Sequence, residues 1–429
     1  MSGTTNLDEF GMGSDSLNST HGPVKNAFSE RLSAGGSSGG SAVAVATNQC
    51  FAALGTDTGG SVRLPASYNG IVGFKPSYGF LSRWGLIAYS NSLDTIGIMG
   101  KNVGDVRELY LSLKDVKRTN DPTSFSQDLA SRIVPNVSRE GKDCKGRRLR
   151  IGVPIEYNTA ELIPSVRTAW IKTMSLLQSA GHLIYPISLP TTRLALSAYY
   201  VLAPAEASSN LARYDGVRYG KKSQTHRPST KFAARSKQPE LLEKRQPSST
   251  SHAGDKPSTL FSYTRGEGLG DEVRRRILLG AYSLSAGAID NYFIQAQKIR
   301  RKVQRDFDSV FRVANPLTDI RTPTDKDPDL PDRVKVDCII TPTAQSLAPE
   351  LDTIGQSDPV DRYSADVLTV PASLAGLPAI SVPVPLGEEA LGSDVARTTG
   401  MQIIGQVGTD EKVLDAAEVM ERIFDSDSI

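Results

Sequence analysis

Two serine clusters set in glycine are the residues of this sequence best suited to chemistry. One reads Gly35-Gly36-Ser37-Ser38-Gly39-Gly40-Ser41, the other Gly55-Thr56-Asp57-Thr58-Gly59-Gly60-Ser61-Val62-Arg63. Glycines gather where the backbone must take a positive φ or approach a ligand closely. Hydroxyls placed among them suit acyl transfer, which needs an exposed nucleophile and neighbouring amides aimed at the developing oxyanion.

Other chemistries open to the same glycines fail on detail. Gly35 to Gly39 satisfies G-x-S-x-G, but that elbow follows a buried strand, and residues 26–34 are polar and loop-like. No Lys follows these glycines as a phosphate loop requires, and no G-x-G-x-x-G lies between strand and helix. A flexible Gly/Ser linker is opposed by the apolar, non-repetitive residues between the clusters. The four histidines are His21, His182, His226 and His252. None has metal-ligand spacing, and a Ser–His–Asp triad would have to recruit His21 or His182. Scarce histidine favours a lysine-based relay.

The neighbouring sequence must position these serines. Residues 40–48 predict an Ala-rich helix capped near Ser41. Residues 50–55 predict a buried strand that delivers the Thr58–Ser61 turn. Further strands are expected over 71–75, 148–153, 183–187, 336–340 and 401–407. Helices are expected over 105–114, 166–180, 194–214, 271–302 and 410–423, the first with Val106, Leu109, Tyr110 and Leu113 on one face. Segments 115–147, 220–258 and 316–334 are polar and aperiodic and read as insertions or loops. The basic segment 220–258 has two readings, a contact for RNA phosphates or a solvated insertion.

Composition bounds the rest. A chain of 429 residues makes one large α/β domain or two to three smaller ones. With 39% hydrophobic and 22% charged residues and a net charge of +2, it has no dominant electrostatic partner. No apolar run approaches a membrane span. Cys50, Cys144 and Cys338 are too scattered for a disulfide framework or a zinc site and point to a reducing compartment. The first residues carry neither an apolar signal core nor an Arg-rich transit pattern.

The two clusters resemble the amidase signature family. The resemblance continues through Gly73-Phe74-Lys75-Pro76-Ser77-Tyr78-Gly79, Ser92-Leu93-Asp94 and the stretch from Asp366 to Val382. It is closest to the tRNA-dependent amidotransferase branch in Asn6-Leu7-Asp8-Glu9-Phe10, Glu206-Ala207-Ser208-Ser209-Asn210-Leu211, the Arg-rich helix ending at Gly280, and Met401-Gln402-Ile403-Ile404-Gly405. This implies an α/β fold, a single amidase-signature domain over 1–429 with a large mixed β-sheet covered by helices on both faces.

By the same resemblance the chemistry is that of a Ser–Ser–Lys triad. Ser61 is the nucleophile that becomes the acyl-enzyme, and Ser37, reached through a cis peptide bond, relays the proton. The amides of Thr58, Gly59, Gly60 and Ser61 form the oxyanion hole, supported by Ser38, Asp57 and Arg63. In the amidotransferase branch the substrate is glutamine, with Arg276 matching the contact for its α-carboxylate and Asp366 that for its ammonium. Tyr200, or its neighbour Tyr199, matches a further contact. Each also has a plain structural reading: Arg276 a surface helix charge, Asp366 a helix N-cap, Tyr200 core.

The branch implies no metal or organic cofactor in this subunit, ATP and Mg being used by its partner. The partners implied are the B-type subunit of the amidotransferase and a small accessory subunit in a hetero-oligomer, which amidates Glu-tRNA(Gln) with the released ammonia. The compartment implied is the mitochondrial matrix. One departure stands out. The family's Lys lies on a strand upstream of the first motif here, and Lys25 and Lys75 belong to other motifs. The expectation is therefore an N-terminally incomplete glutaminase. The alternatives are a free-standing amidase on a small amide and a non-catalytic scaffold subunit.

Overall fold

The computed structural model describes residues 3–114, 116, 120–125, 133, 148–221, 262–318, 334–356, 362–386 and 398–427. Most of the segments 115–147, 220–258 and 316–334, expected to be insertions, lie outside the described residues. Eight strands form one sheet: β1 (Ala52–Asp57), β2 (Val72–Lys75), β3 (Thr95–Gly100), β4 (Arg150–Pro154), β5 (Leu183–Ile187), β6 (Cys338–Pro342), β7 (Ala379–Pro385) and β8 (Thr398–Ile404). Their order is β1-β3-β2-β7-β8-β6-β4-β5. All neighbours from β1 to β6 are antiparallel, whereas β6–β4 and β4–β5 are parallel.

Successive residues of a strand face opposite sides of the sheet, so β2 shows how both faces are covered. A Cβ on Gly73 would lie 2.5 Å from that of Ala66, in the Arg63–Tyr68 helix. The next residue, Phe74, meets Tyr110 of the Val103–Lys114 helix edge-on at 5.3 Å. On the Ala66 side Gly400 of β8 also lacks the Cβ that would strike Ser67 at 2.6 Å. This close approach seats the helix that follows the Ser61 cluster on the middle of the sheet.

Three expectations are corrected. The strand after Cys50 is not buried: β1 is an edge strand, with Leu54 45% exposed and the preceding Phe51 64% exposed. The first helix runs Gly39–Ala46 and begins behind Ser38 rather than being capped at Ser41. The Ser41 hydroxyl is instead used across the fold, donating to the Leu54 carbonyl at 2.9 Å. Finally, no peptide bond among the described residues is cis. Gly35 and Gly36, at φ of 75° and 59°, make the turn into Ser37 through left-handed backbone that glycine adopts without strain.

Helix Ala195–Asn210 packs against both Asp271–Ser283 and Phe293–Val310. Gly280 lets the first two touch, since a Cβ there would stand 1.9 Å from the Pro204 carbonyl oxygen. The pair brings Tyr199, Tyr200 and Arg276 to the site. The helical region expected over 271–302 comprises two helices, as its two segments 272–280 and 292–303 imply, one ending at Ser283 and the next beginning at Phe293.

Candidate active site

Strand β1 ends at Asp57 and the chain then turns through Thr58, Gly59, Gly60 and Ser61 into the Arg63–Tyr68 helix. Asp57 closes this turn, its Oδ2 accepting the amides of Val62 at 3.3 Å and Arg63 at 3.4 Å. The Arg63 side chain grips the same carboxylate with Nε at 3.0 Å and Nη2 at 2.8 Å, and neither side chain is exposed. Burial raises the Asp57 pKa, but the Arg63 guanidinium outweighs it and holds the carboxylate below its ordinary range. Arg63 also donates to the carbonyl of Thr369, to Gln402 Oε1 and to Ser373 Oγ. The loop is therefore anchored from below by a charge-assisted network.

The upper side of the loop is left open. Among the described residues, the amides of Gly59, Gly60 and Ser61 make no hydrogen bond to a protein acceptor. A buried amide without a partner costs about 1–3 kcal/mol, and three in succession beside a serine make a ready oxyanion hole. Their glycines are sterically required. A Cβ on Gly59 would lie 2.9 Å from the Tyr199 hydroxyl oxygen, and one on Gly60 would lie 2.2 Å from Thr369 Oγ1.

The two serine clusters meet through their backbones. The Ser38 amide donates to the Ser61 carbonyl at 3.3 Å. The Ser38 hydroxyl bridges Thr56, accepting from its amide at 3.2 Å and donating to its carbonyl at 3.3 Å. Ser37 is fully buried, and its Oγ has no hydrogen-bond partner among the described residues. A cavity of about 1010 Å³ is lined among others by Phe10, Gly11, Thr56, Thr58, Tyr89 and Asp94, with neither Ser37 nor Ser61 on its wall. Neither lysine singled out in the sequence serves these hydroxyls. Lys25 pairs with Glu30 at 2.6 Å on the surface. Lys75 donates to the carbonyls of Pro76 and Leu377, with burial pushing its amine down to about 7.

Beyond the loop stand the groups matched to an amino-acid substrate. Arg276 is buried, not a surface charge: Nε donates to Glu272 Oε1 at 2.7 Å and Nη1 to the Tyr89 hydroxyl at 2.8 Å. Its guanidinium lies 5.4–5.7 Å from the ring centres of Tyr89, Tyr200 and Tyr363, within cation–π range. Asp366 is also buried and does not cap a helix. Its Oδ2 accepts from Ser14 Oγ at 2.7 Å and from Tyr200 at 3.4 Å. Its Oδ1 faces Gly60, 3.2 Å from where that residue's Cβ would be. Burial raises its pKa against the pull of Ser14 and Arg276.

Tyr199 and Tyr200 divide the work. Tyr199 lies against Gly59, whereas Tyr200 stacks on Tyr363 at 4.2 Å and reaches Asp366. Ser14, Tyr89, Glu272 and Tyr363 complete the surroundings without having been singled out as site residues in the sequence. Ser14 lies just past the Asn6–Phe10 run that carried the resemblance, and nothing local marks its partner. Among the described residues no group of three or more His, Cys, Asp or Glu is placed to hold a metal ion.

A serine-bearing glycine turn, unpaired loop amides and a second buried serine suit an amide hydrolase, and a sequence model named Amidase matches residues 1–414. The chain belongs to the amidase family. It is 52% identical to a Coccidioides posadasii protein named as the A-type subunit of mitochondrial glutamyl-tRNA(Gln) amidotransferase, over 99% of this chain and 80% of that one. The protein of the same name from Ajellomyces capsulatus is 50% identical over 98% of this chain and 80% of its own length. Among solved structures, the A-type subunit of the Thermotoga maritima glutamyl-tRNA(Gln) amidotransferase superposes with a TM-score of 0.66 at 33% identity. That match covers 98% of this chain and 73% of that one. The mixed sheet described above is thus an amidase-family fold, and no helix among the described residues is long and apolar enough to cross a membrane.

Proposed function

We propose that this chain is the glutamine-hydrolysing subunit of a mitochondrial tRNA-dependent amidotransferase. The observation that carries the reading is the pairing of a serine–oxyanion loop with one buried cation and one buried carboxylate, Arg276 and Asp366, at its open side. An α-carboxylate and an α-ammonium both lose hydration on entering such a site and need fixed opposite charges. A simple aliphatic amide needs neither, so the pair favours glutamine over a free-standing activity on a small amide.

In this reading the Ser61 hydroxyl attacks the side-chain amide carbon, and its proton passes by way of Ser37 toward the departing nitrogen. The oxyanion is met by the amides of Gly59, Gly60 and Ser61. The C–N bond breaks, ammonia leaves, and water then cleaves the glutamyl ester to release glutamate. The chain needs no metal or organic cofactor for these steps; ATP and Mg belong to its partner, the amidotransferase's B-type subunit. With a small accessory chain completing the hetero-oligomer, the ammonia is delivered to Glu-tRNA(Gln). The relatives' names, each that of an A-type subunit, support a multi-subunit amidotransferase.

The test is glutamine-dependent ammonia release by the protein assembled with its partner. Ammonia and glutamate should appear in equal amounts, and Ser61→Ala should reduce the rate by several orders of magnitude. A Ser61→Ala protein that still forms the complex and releases ammonia at the normal rate would overturn the reading.

A further inference from the structure

Asp94 belongs to a run that the family resemblance includes without giving it a task. Its position follows from strand register. Strands β1 and β3 are antiparallel with Asp57 opposite Thr95, so the next residues beyond the ladder, Thr58 and Asp94, also face each other. There the Thr58 hydroxyl donates to Asp94 Oδ1 at 2.8 Å. The other carboxylate oxygen accepts the amides of Tyr89 at 2.9 Å and Ser90 at 3.0 Å, with Arg83 Nη1 at 3.6 Å. Asp94 is 2% exposed and Tyr89 3% exposed, so both are largely covered where they line the cavity.

The chain of contacts continues into the substrate groups. The Tyr89 hydroxyl accepts from Arg276 Nη1 at 2.8 Å. The run Thr58–Asp94–Tyr89–Arg276 thus links the loop to the guanidinium, and Tyr199 lies against Gly59 on the loop itself. Oxyanion stabilisation needs donors held in place, and hydrogen bonds to a buried carboxylate are one way to restrain the loop that carries them.

We propose that Asp94 is a positioning residue for glutamine hydrolysis. Through Thr58 it sets the oxyanion loop, and through Tyr89 it ties the substrate-binding guanidinium of Arg276 to the same frame. This rests on the glutaminase reading above, and the test separates the two.

Thr58→Val, Thr58→Ser, Asp94→Ala and the Thr58→Val/Asp94→Ala double variant are compared in the assembled protein. Hydrogen exchange of the segment 55–64, which needs no activity, should quicken about tenfold or more in Thr58→Val and in Asp94→Ala. It should quicken no further in the double variant, because both changes cut one link. Thr58→Ser, which keeps the hydroxyl, should retain the slow exchange. The kcat for glutamine should follow the same pattern, falling about tenfold to a hundredfold with KM nearly constant. Tyr89→Phe should act on the other arm, raising KM for glutamine several-fold more than KM for butanamide, which has no α-carboxylate to meet Arg276.

Multiplying effects in the double variant, or unchanged exchange in Thr58→Val, would overturn the proposal; the latter holds even where Asp94→Ala fails to fold. Equal KM changes for glutamine and butanamide in Tyr89→Phe would remove the Arg276 arm. A parent protein that neither releases ammonia nor binds glutamate defeats the glutaminase reading alone, since the exchange experiment still judges Asp94.

Discussion

Arg63 and Asp57 lie six residues apart and wholly inside the protein, with the guanidinium reaching both carboxylate oxygens. The pair locks the loop carrying Ser61 onto the sheet, because Arg63 also holds the Thr369 carbonyl and Gln402 of β8. Removing one partner strands the other charge in the interior. Arg63→Met should therefore destabilise the fold by about 3–5 kcal/mol, read as a lower urea midpoint with an unchanged slope. A loss below about 1 kcal/mol, the range of surface pairs, would show that the network does not hold the loop.

Gly60 is the narrowest point of the same loop. Its missing Cβ would fall 2.2 Å from Thr369 Oγ1, 2.9 Å from Thr369 Cβ and 3.2 Å from Asp366 Oδ1. Gly60→Ala must push the loop away from Asp366, so its amides no longer converge on one point. Activity on glutamine should drop about a hundredfold or more, in line with the loss of an oxyanion donor, while the melting temperature moves by only a few degrees. Wild-type kcat in Gly60→Ala would show that the loop tolerates the displacement.

The buried carboxylates make stability depend on pH in an unusual direction. Burial pushes Asp8 up to about 8, Asp15 up to about 7 and Asp94 up to about 6. The folded protein thus keeps protons that the unfolded chain releases near pH 4, and stability must fall as pH rises from about 4 to about 7. Above that, Lys75, pushed down to about 7, acts with the opposite sign. Urea unfolding at pH 5 and pH 7 should give the higher free energy at pH 5, and Asp8→Asn should flatten the difference. Stability that climbs steadily between those values would contradict these carboxyl assignments.

Much of the site could be read from the sequence because its parts are local. The turn from Asp57 to Arg63 is one short run that holds the carboxylate, the glycines, Ser61 and the guanidinium together. The flanking strand and helix announce themselves by their apolar residues. β1 shows the limit of that signal, since an apolar run does not say whether a strand has one neighbour or two, and here it borders the sheet.

What no local pattern carries is which distant segments come together. Ser14 and Asp366 are 352 positions apart, and Tyr89 and Arg276 are 187 apart, yet each pair shares a hydrogen bond at 2.8 Å or less. Hydrophobic periodicity states that a face is buried, not what it is buried against. Arg276 looks like any charge on an Arg-rich helix until Glu272, Tyr89 and the rings of Tyr200 and Tyr363 enclose it. Asp94 likewise gains its place from strand register, which pairs Asp57 with Thr95 and so sets its carboxylate against Thr58. The sequence carries Ser61 and its loop because covalent neighbours build them. The surroundings that could recognise a substrate come from long-range packing, where burial removes water and leaves each charge only the partners that the fold has brought to it.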